Sequence, residues 1–376
     1  MCDFDRSRCA TARRAFAITA LVALASSLAR PAPAATIPPI TSGYGADGPF
    51  SVDVQTFSSP LFLGRNVSVF LPDGATGPVP TIFFAHGFDG DLPIFYNGIL
   101  NHLATRGYGA VFSPYTSLGT DQALRYAQMF AGFKKAFTEF PTLLDPTRVG
   151  FVGHSLGGGA LPALALQGLV NEGWGGSGAF LYNMAPWYSY EVSQAELETF
   201  PSHVKMIMQI FDDDRVNDHR MAIDLFENIN IPDSEKDFIT TFSDSNGGML
   251  LDADHFVPLG ATGSPQVDGL DFYGIHRLID ALADYTFTGN LDGKNVALGG
   301  GSPEQTFMGE WPDTTPVTPL AVTDDPVAAY AQNQFLFRFN SLANPRFLVP
   351  EPTTAGLLIT GGIGLIVVGI ARRRRS

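Results

Sequence analysis

The stretch RVGFVGHSLGGGALPALALQGL, residues 148–169, decides the fold. Residues 148–152 read as a strand, and residues 155–169 read as a helix rich in Ala and Leu. Between them stands Gly153-His154-Ser155-Leu156-Gly157, a G-x-S-x-G pentapeptide. A sharp strand-to-helix turn holds such a serine in a strained conformation with its hydroxyl exposed, and small residues on both sides let strand and helix approach. The helix N-terminus adds a positive potential beside a developing oxyanion. The pentapeptide alone is weak, since it arises by chance. Its position after a strand and before a helix makes it specific for a nucleophilic Ser155.

Working outward, apolar runs alternate with amphipathic segments. Residues 52–57 and 66–71 read as strands, and TIFFA at 81–85 is a continuous apolar run suited to a strand buried on both faces. Residues 94–106 read as a helix stopped by Gly107, followed by a strand over 109–113. Asp121 opens a helix with Leu124, Phe130, Phe133, Phe137 and Phe140 at roughly helical spacing. Further strands are expected over 179–184, 204–211 and 238–242, with helices over 218–228 and 270–285. The pattern is α/β: about eight mostly parallel strands with helices on both faces. No repeat is evident. The expected domain spans residues 49–286, behind a Pro- and Gly-rich linker at 35–48. Residues 287–348 show no clear period and read either as an extension packed on the domain or as a spacer.

A nucleophilic serine on such a sheet resembles the α/β-hydrolase fold, whose triad runs in the chain order Ser, acid, His. In that fold one oxyanion donor follows the third strand and the other is the residue after the nucleophile. The resemblance therefore implies the backbone N–H groups of Phe88, in His86-Gly87-Phe88, and of Leu156. Phe88 would also bring a ring to the cleft. His86 and His154 read as structural, His86 orienting its loop and His154 pointing away from the cleft. The apolar run at 204–211 leads into Asp212-Asp213-Asp214-Arg215-Val216. An acid, one residue and an aliphatic anchor is the usual shape, so Asp214 is the expected acid and Asp213 the alternative. Three histidines follow. His219 is only five residues beyond Asp214, and His276 lies inside a helical pattern. His255 follows the last strand by a short loop and is the expected base.

From about residue 52 to 285 the chain resembles the dienelactone-hydrolase-like branch of that fold, close to the polyester hydrolase (cutinase) and chlorophyllase-like group. The run GHSLGGG and the tripeptide Ala185-Pro186-Trp187 carry this likeness. The resemblance implies Trp187 as a cleft-lining residue; a packed aromatic at the sheet edge is the other reading. The chain departs from the group in lacking its C-terminal disulfide and in carrying residues 287–348. The expected activity is carboxylic ester hydrolysis through an acyl-enzyme, with an ester as partner and no metal or organic cofactor. A non-catalytic surface or matrix protein on the same scaffold, or a peptidase or acyltransferase with the same triad, are the alternatives.

Charge and termini concern where the chain works. Formal net charge is −14. With the nine arginines of residues 1–34 and 372–375 and Asp3 and Asp5 set aside, 14 basic and 35 acidic residues remain, a balance of −21. Such a body repels phosphate backbones, so nucleic acid is not expected as a partner. The only cysteines are Cys2 and Cys9. Residues 1–34 carry arginines, then the apolar run 15–28, then Ala32-Pro33-Ala34, the layout of a signal peptide. Residues 349–376 open with Val349-Pro350-Glu351-Pro352, continue with 17 apolar or small residues at 355–371, and end in Arg372 to Arg375 before Ser376. This tail resembles a PEP-CTERM sorting signal with a transmembrane helix. That implies export by a Gram-negative bacterium, processing by an exosortase-type enzyme, and association with the outer surface or exopolysaccharide. The arginines would remain cytoplasmic. A monomer is expected.

Overall fold

The computed structural model describes residues 37–263 and 266–329. The expected signal peptide and the PEP-CTERM tail with its membrane span lie outside these residues. Among the described residues no helix is long and apolar enough to cross a membrane.

A nine-stranded sheet forms the centre. Its strands are β1 (Val52–Ser58), β2 (Asn66–Pro72), β3 (Val79–Ala85), β4 (Gly109–Phe112), β5 (Leu144–His154), β6 (Ala179–Met184), β7 (Lys205–Phe211), β8 (Lys236–Thr241) and, after the hairpin β9 (Asp244–Asn246) and β10 (Met249–Leu251), β11 (Ala321–Thr323). The order is β1-β2-β4-β3-β5-β6-β7-β8-β11. The six strands from β4 to β8 in that order run parallel, while β1, β2 and β11 attach antiparallel. The chain is therefore α/β with a mostly parallel sheet. A ninth strand, β11, comes from the extension, where no period marked it.

Residue alternation along the central strands splits the core in two. Phe83 and Phe151 face one side, and Ile82, Phe84 and Val152 face the other. The first side is covered by α1 (Gln122–Glu139), α2 (Leu156–Leu166) and α3 (His219–Asn228). Here the Phe83 ring meets Phe133 at 4.7 Å, Phe151 at 5.3 Å and Trp174 at 5.1 Å between centroids. Truncating one such ring to Ala costs about 3–5 kcal/mol. The second side is covered by Asn97–Thr105 and by α4 (Arg277–Thr288), which a π-helical turn at Phe272–His276 precedes. The helix expected at 121 begins there: the Asp121 carboxylate accepts from the Leu124 amide at 2.9 Å, an N-cap.

One expected boundary differs, on the N-terminal side of the domain. Residues 37–48 are packed rather than linking: Ile37 and Ala46 are buried, and the Gly45 amide donates to the Asp280 carboxylate at 2.8 Å. Pro and Gly content signalled absence of regular structure, not absence of contact. Residues 287–329 likewise pack on the domain. Arg277 donates to the carbonyls of Glu304, Gln305 and Phe307 at 2.7–2.8 Å. Trp311 and Thr318 both donate to Asp244.

Candidate active site

Parallel strands end on one side of the sheet, so loops after β3, β5, β7 and the β8–β10 segment meet there. Ser155 sits between β5 and α2, with φ 56° and ψ −120°, a conformation that costs a non-glycine residue about 1–3 kcal/mol. It persists because its backbone is tied at both ends. Its amide donates to the Met184 carbonyl at 2.9 Å, and its carbonyl accepts from Gly159 at 3.0 Å and Trp187 at 2.8 Å. Close approach explains the glycines: a Cβ on Gly157 would lie 2.0 Å from the Ala85 carbonyl oxygen, and one on Gly159 2.3 Å from that of Trp187.

The sequence-nominated Ser155, His255 and Asp214 come together across 100 and 41 residues of chain. His255 Nε2 lies 3.0 Å from Ser155 Oγ, and His255 Nδ1 lies 2.7 Å from Asp214 Oδ2. Both His255 and Asp214 side chains are buried. The other Asp214 oxygen accepts from the amides of Val216 and Asn217 at 2.7 and 2.8 Å, so the carboxylate is held on both oxygens. Its neighbours turn elsewhere: Asp212 accepts from the Ser243 amide and Asp213 from the Ser243 hydroxyl. Burial raises the Asp212 carboxyl above its ordinary value.

The backbone N–H groups of Phe88 and Leu156 have no hydrogen-bond partner among the described residues. Leu156 is the first residue of α2, where helix geometry itself leaves the N–H free. The Phe88 ring is 48% exposed, with the Arg125 guanidinium 5.5 Å from its centroid. Trp187 touches the site through its backbone bond to Ser155; its half-buried ring packs against the core and meets Tyr188 at 5.3 Å.

His86 and His154 are both buried. His86 Nδ1–H donates to the Gly87 carbonyl at 2.7 Å, Nε2 accepts from the Tyr115 amide, and the ring stacks on Tyr115 at 4.0 Å. Burial pushes its pKa down to about 3, so it stays neutral. His154 faces away from bulk solvent but toward the base: its Nε2 lies 2.9 Å from the His255 carbonyl oxygen. Tyr96, which no sequence pattern singles out, bonds both His154 Nδ1 at 3.0 Å and the Gly87 amide at 2.9 Å. His219 bonds the Phe211 carbonyl and His276 stacks on His102, so neither approaches Ser155.

Ser155 is itself buried, with 8% of its surface exposed. A cavity of about 670 Å³ is lined by Ile94, Phe95, Asp254, Phe256 and Leu259 among others, Asp254 and Phe256 being the chain neighbours of His255. A second cavity of about 1000 Å³ lies near His102 and the N-terminal segment. Ser155 lines neither. Among the described residues no group of three or more His, Cys, Asp or Glu side chains is placed to hold a metal ion. Chemically, the arrangement offers an oxygen nucleophile, a proton acceptor oriented by a carboxylate, and two unpaired N–H donors. No protein-family model matches the chain, and no curated protein matches it.

Proposed function

We propose that this protein is an exported α/β-hydrolase-fold serine hydrolase that cleaves carboxylic esters. The observation that carries the reading is the continuous Ser155–His255–Asp214 chain, at 3.0 and 2.7 Å, beneath a strained strand-to-helix turn. In this reading Ser155 Oγ attacks the ester carbonyl while His255 Nε2 takes its proton. Asp214 holds the opposite nitrogen as N–H and stabilises the imidazolium. The oxyanion accepts from the Phe88 and Leu156 amides. His255 then protonates the leaving alcohol, and water, deprotonated in turn by His255, releases the acid from the acyl-enzyme. No step calls for a cofactor. Phe88 and Trp187 are the proposed substrate-side aromatics, Phe88 on the strength of its exposure. The chain order Ser, Asp, His matches that fold family. An acidic body fits neutral esters better than polyanions. Residues 1–34 are proposed as the export signal and 349–376 as a PEP-CTERM tail cut by an exosortase-type enzyme, leaving a monomeric protein at the cell surface or outside.

The deciding experiment is hydrolysis of esters of graded acyl length by purified protein, with Ser155→Ala as control. Turnover should fall ~10⁴–10⁶-fold in the variant while its melting temperature stays near wild type. Wild-type turnover in Ser155→Ala would refute the assignment.

A further inference from the structure

Between the base and the oxyanion loop lies a buried hydrogen-bond chain that the proposed chemistry leaves without a role. The His255 carbonyl can only accept, so His154 Nε2 must carry the proton in their 2.9 Å bond. Burial holds the His154 imidazole neutral, well below its ordinary pKa. Its Nδ1 is therefore bare and accepts from the Tyr96 hydroxyl at 3.0 Å. Burial likewise raises the Tyr96 phenol, which keeps its proton. The Tyr96 oxygen in turn accepts from the Gly87 amide at 2.9 Å. Each group thus has one possible role, and the direction of the chain is fixed: Gly87 N–H to Tyr96, Tyr96 O–H to His154, His154 N–H to the His255 carbonyl.

Gly87 is the residue before Phe88. Its carbonyl is anchored separately, by His86 Nδ1–H at 2.7 Å and the Gly90 amide at 3.1 Å. No peptide bond among the described residues is cis, and in a trans peptide N–H and C=O point in opposite directions. Holding the Gly87 carbonyl toward His86 aims the Phe88 N–H the other way, and holding the Gly87 amide on Tyr96 sets where that peptide sits. A Cβ on Gly87 would lie 3.0 Å from both His154 Nδ1 and the Tyr96 hydroxyl oxygen and 3.3 Å from Ser155 Cβ, so the three elements leave little slack.

We propose that Tyr96 and His154 are positioning residues: one buried strap that fixes the oxyanion donor Phe88 and the base His255 relative to each other around Ser155. This rests on the serine-hydrolase reading above. The strap has separable ends. Losing the Tyr96 hydroxyl frees the Gly87 peptide and leaves the His154 bond to His255 in place. Losing the imidazole releases the His255 end and leaves the Tyr96 hydroxyl, on which Gly87 rests, without its own acceptor.

The test compares an oxoester with its thionoester, whose sulfur accepts hydrogen bonds weakly and so depends little on the oxyanion donors. Tyr96→Phe should lower kcat on the oxoester about 10–100-fold, short of the loss of a whole donor, with KM within about twofold. On the thionoester its loss should be within about threefold, because only the donor end is disturbed. His154→Phe should lower both substrates, and His154→Gln, which keeps an N–H donor, should recover part of that loss. Wild-type turnover of the oxoester by folded Tyr96→Phe, or equal losses on the two substrates, would overturn the proposal. Labelling of Ser155 by a fluorophosphonate, read by mass spectrometry, separates the two levels. Labelled, active wild type with insensitive Tyr96→Phe removes the strap alone; unlabelled, inactive wild type removes the hydrolase reading and the strap with it.

Discussion

Three adjacent aspartates differ by where their oxygens go. Asp214 presents one oxygen to His255 and the other to two backbone amides, whereas Asp212 and Asp213 both serve Ser243. Asp214→Asn should cut turnover about 10⁴-fold, since an amide in place of the carboxylate favours the wrong imidazole tautomer. Asp212→Asn and Asp213→Asn should stay within about tenfold of wild type, well short of losing a triad member. A steady-state comparison of the three variants decides the matter, and a dominant loss at Asp213 would move the acid there. Ser155, Asp214 and His255 were all legible as candidates, because each stands directly after an apolar strand or in the short loop beyond one. The duties of His154 and Tyr96 were not. A histidine beside a nucleophile and a tyrosine in a helical stretch carry no spacing signal. Their roles arise only when residues 87, 96, 154 and 255 converge in space.

At the scale of elements, the parallel strands declared themselves because strands buried on both faces read as apolar runs, TIFFA at 81–85 above all. The extension did not. Its pieces, Leu291–Ala297, Pro303–Thr306 and β11, are short, and the apolar residues they and their connections send into the core, Ala297, Leu298, Met308, Trp311, Val317 and Leu320, leave no period in sequence. Arg277 is the chief clamp, buried in α4 with three carbonyls on its guanidinium. Burial lowers its pKa to about 10, still a full charge at neutral pH. Arg277→Met fills similar space but strands those carbonyls, at about 1–3 kcal/mol for each that water cannot reach. A loss of about 3 kcal/mol in urea unfolding is expected, together with proteolytic release of the segment after residue 298 before the sheet is cut. Lys294→Met removes a more exposed partner of Glu235 and should cost under about 1 kcal/mol. Equal effects of the two substitutions would show that Arg277 is not the clamp.

For the whole molecule, two consequences reach beyond any one element. The proposed tail processing implies that mature protein ends near Pro350; C-terminal mass spectrometry that finds Ser376 on the bulk of exported protein would refute it. The second concerns the seam joining the N-terminal segment to α4. His102 Nδ1 lies 3.0 Å from Asp47 and Nε2 lies 3.1 Å from Asp280, so both nitrogens face carboxylates. Arg106 and the Gly45 amide share Asp280, and the neutral His276 ring stacks on His102 at 4.2 Å. Burial opposes the charge on His102, but the two carboxylates outweigh it and raise its pKa from 6.5 to about 9. A group raised on folding stabilises fully below its unfolded value and ceases to as pH climbs through its folded value. The seam should therefore weaken between pH 6.5 and 9, by up to about 3 kcal/mol. Asp237, raised from 3.8 to about 6 by burial, has the same sign, but its window closes below that of His102. Lys236, lowered by burial, has the opposite sign, so the measurement is a difference between proteins. Urea unfolding at pH 6.5 and at pH 9 should show a clear fall in midpoint for wild type and a flatter response for His102→Gln, which donates without titrating. An identical pH dependence in the two proteins would mean that the seam does not hold a charged His102.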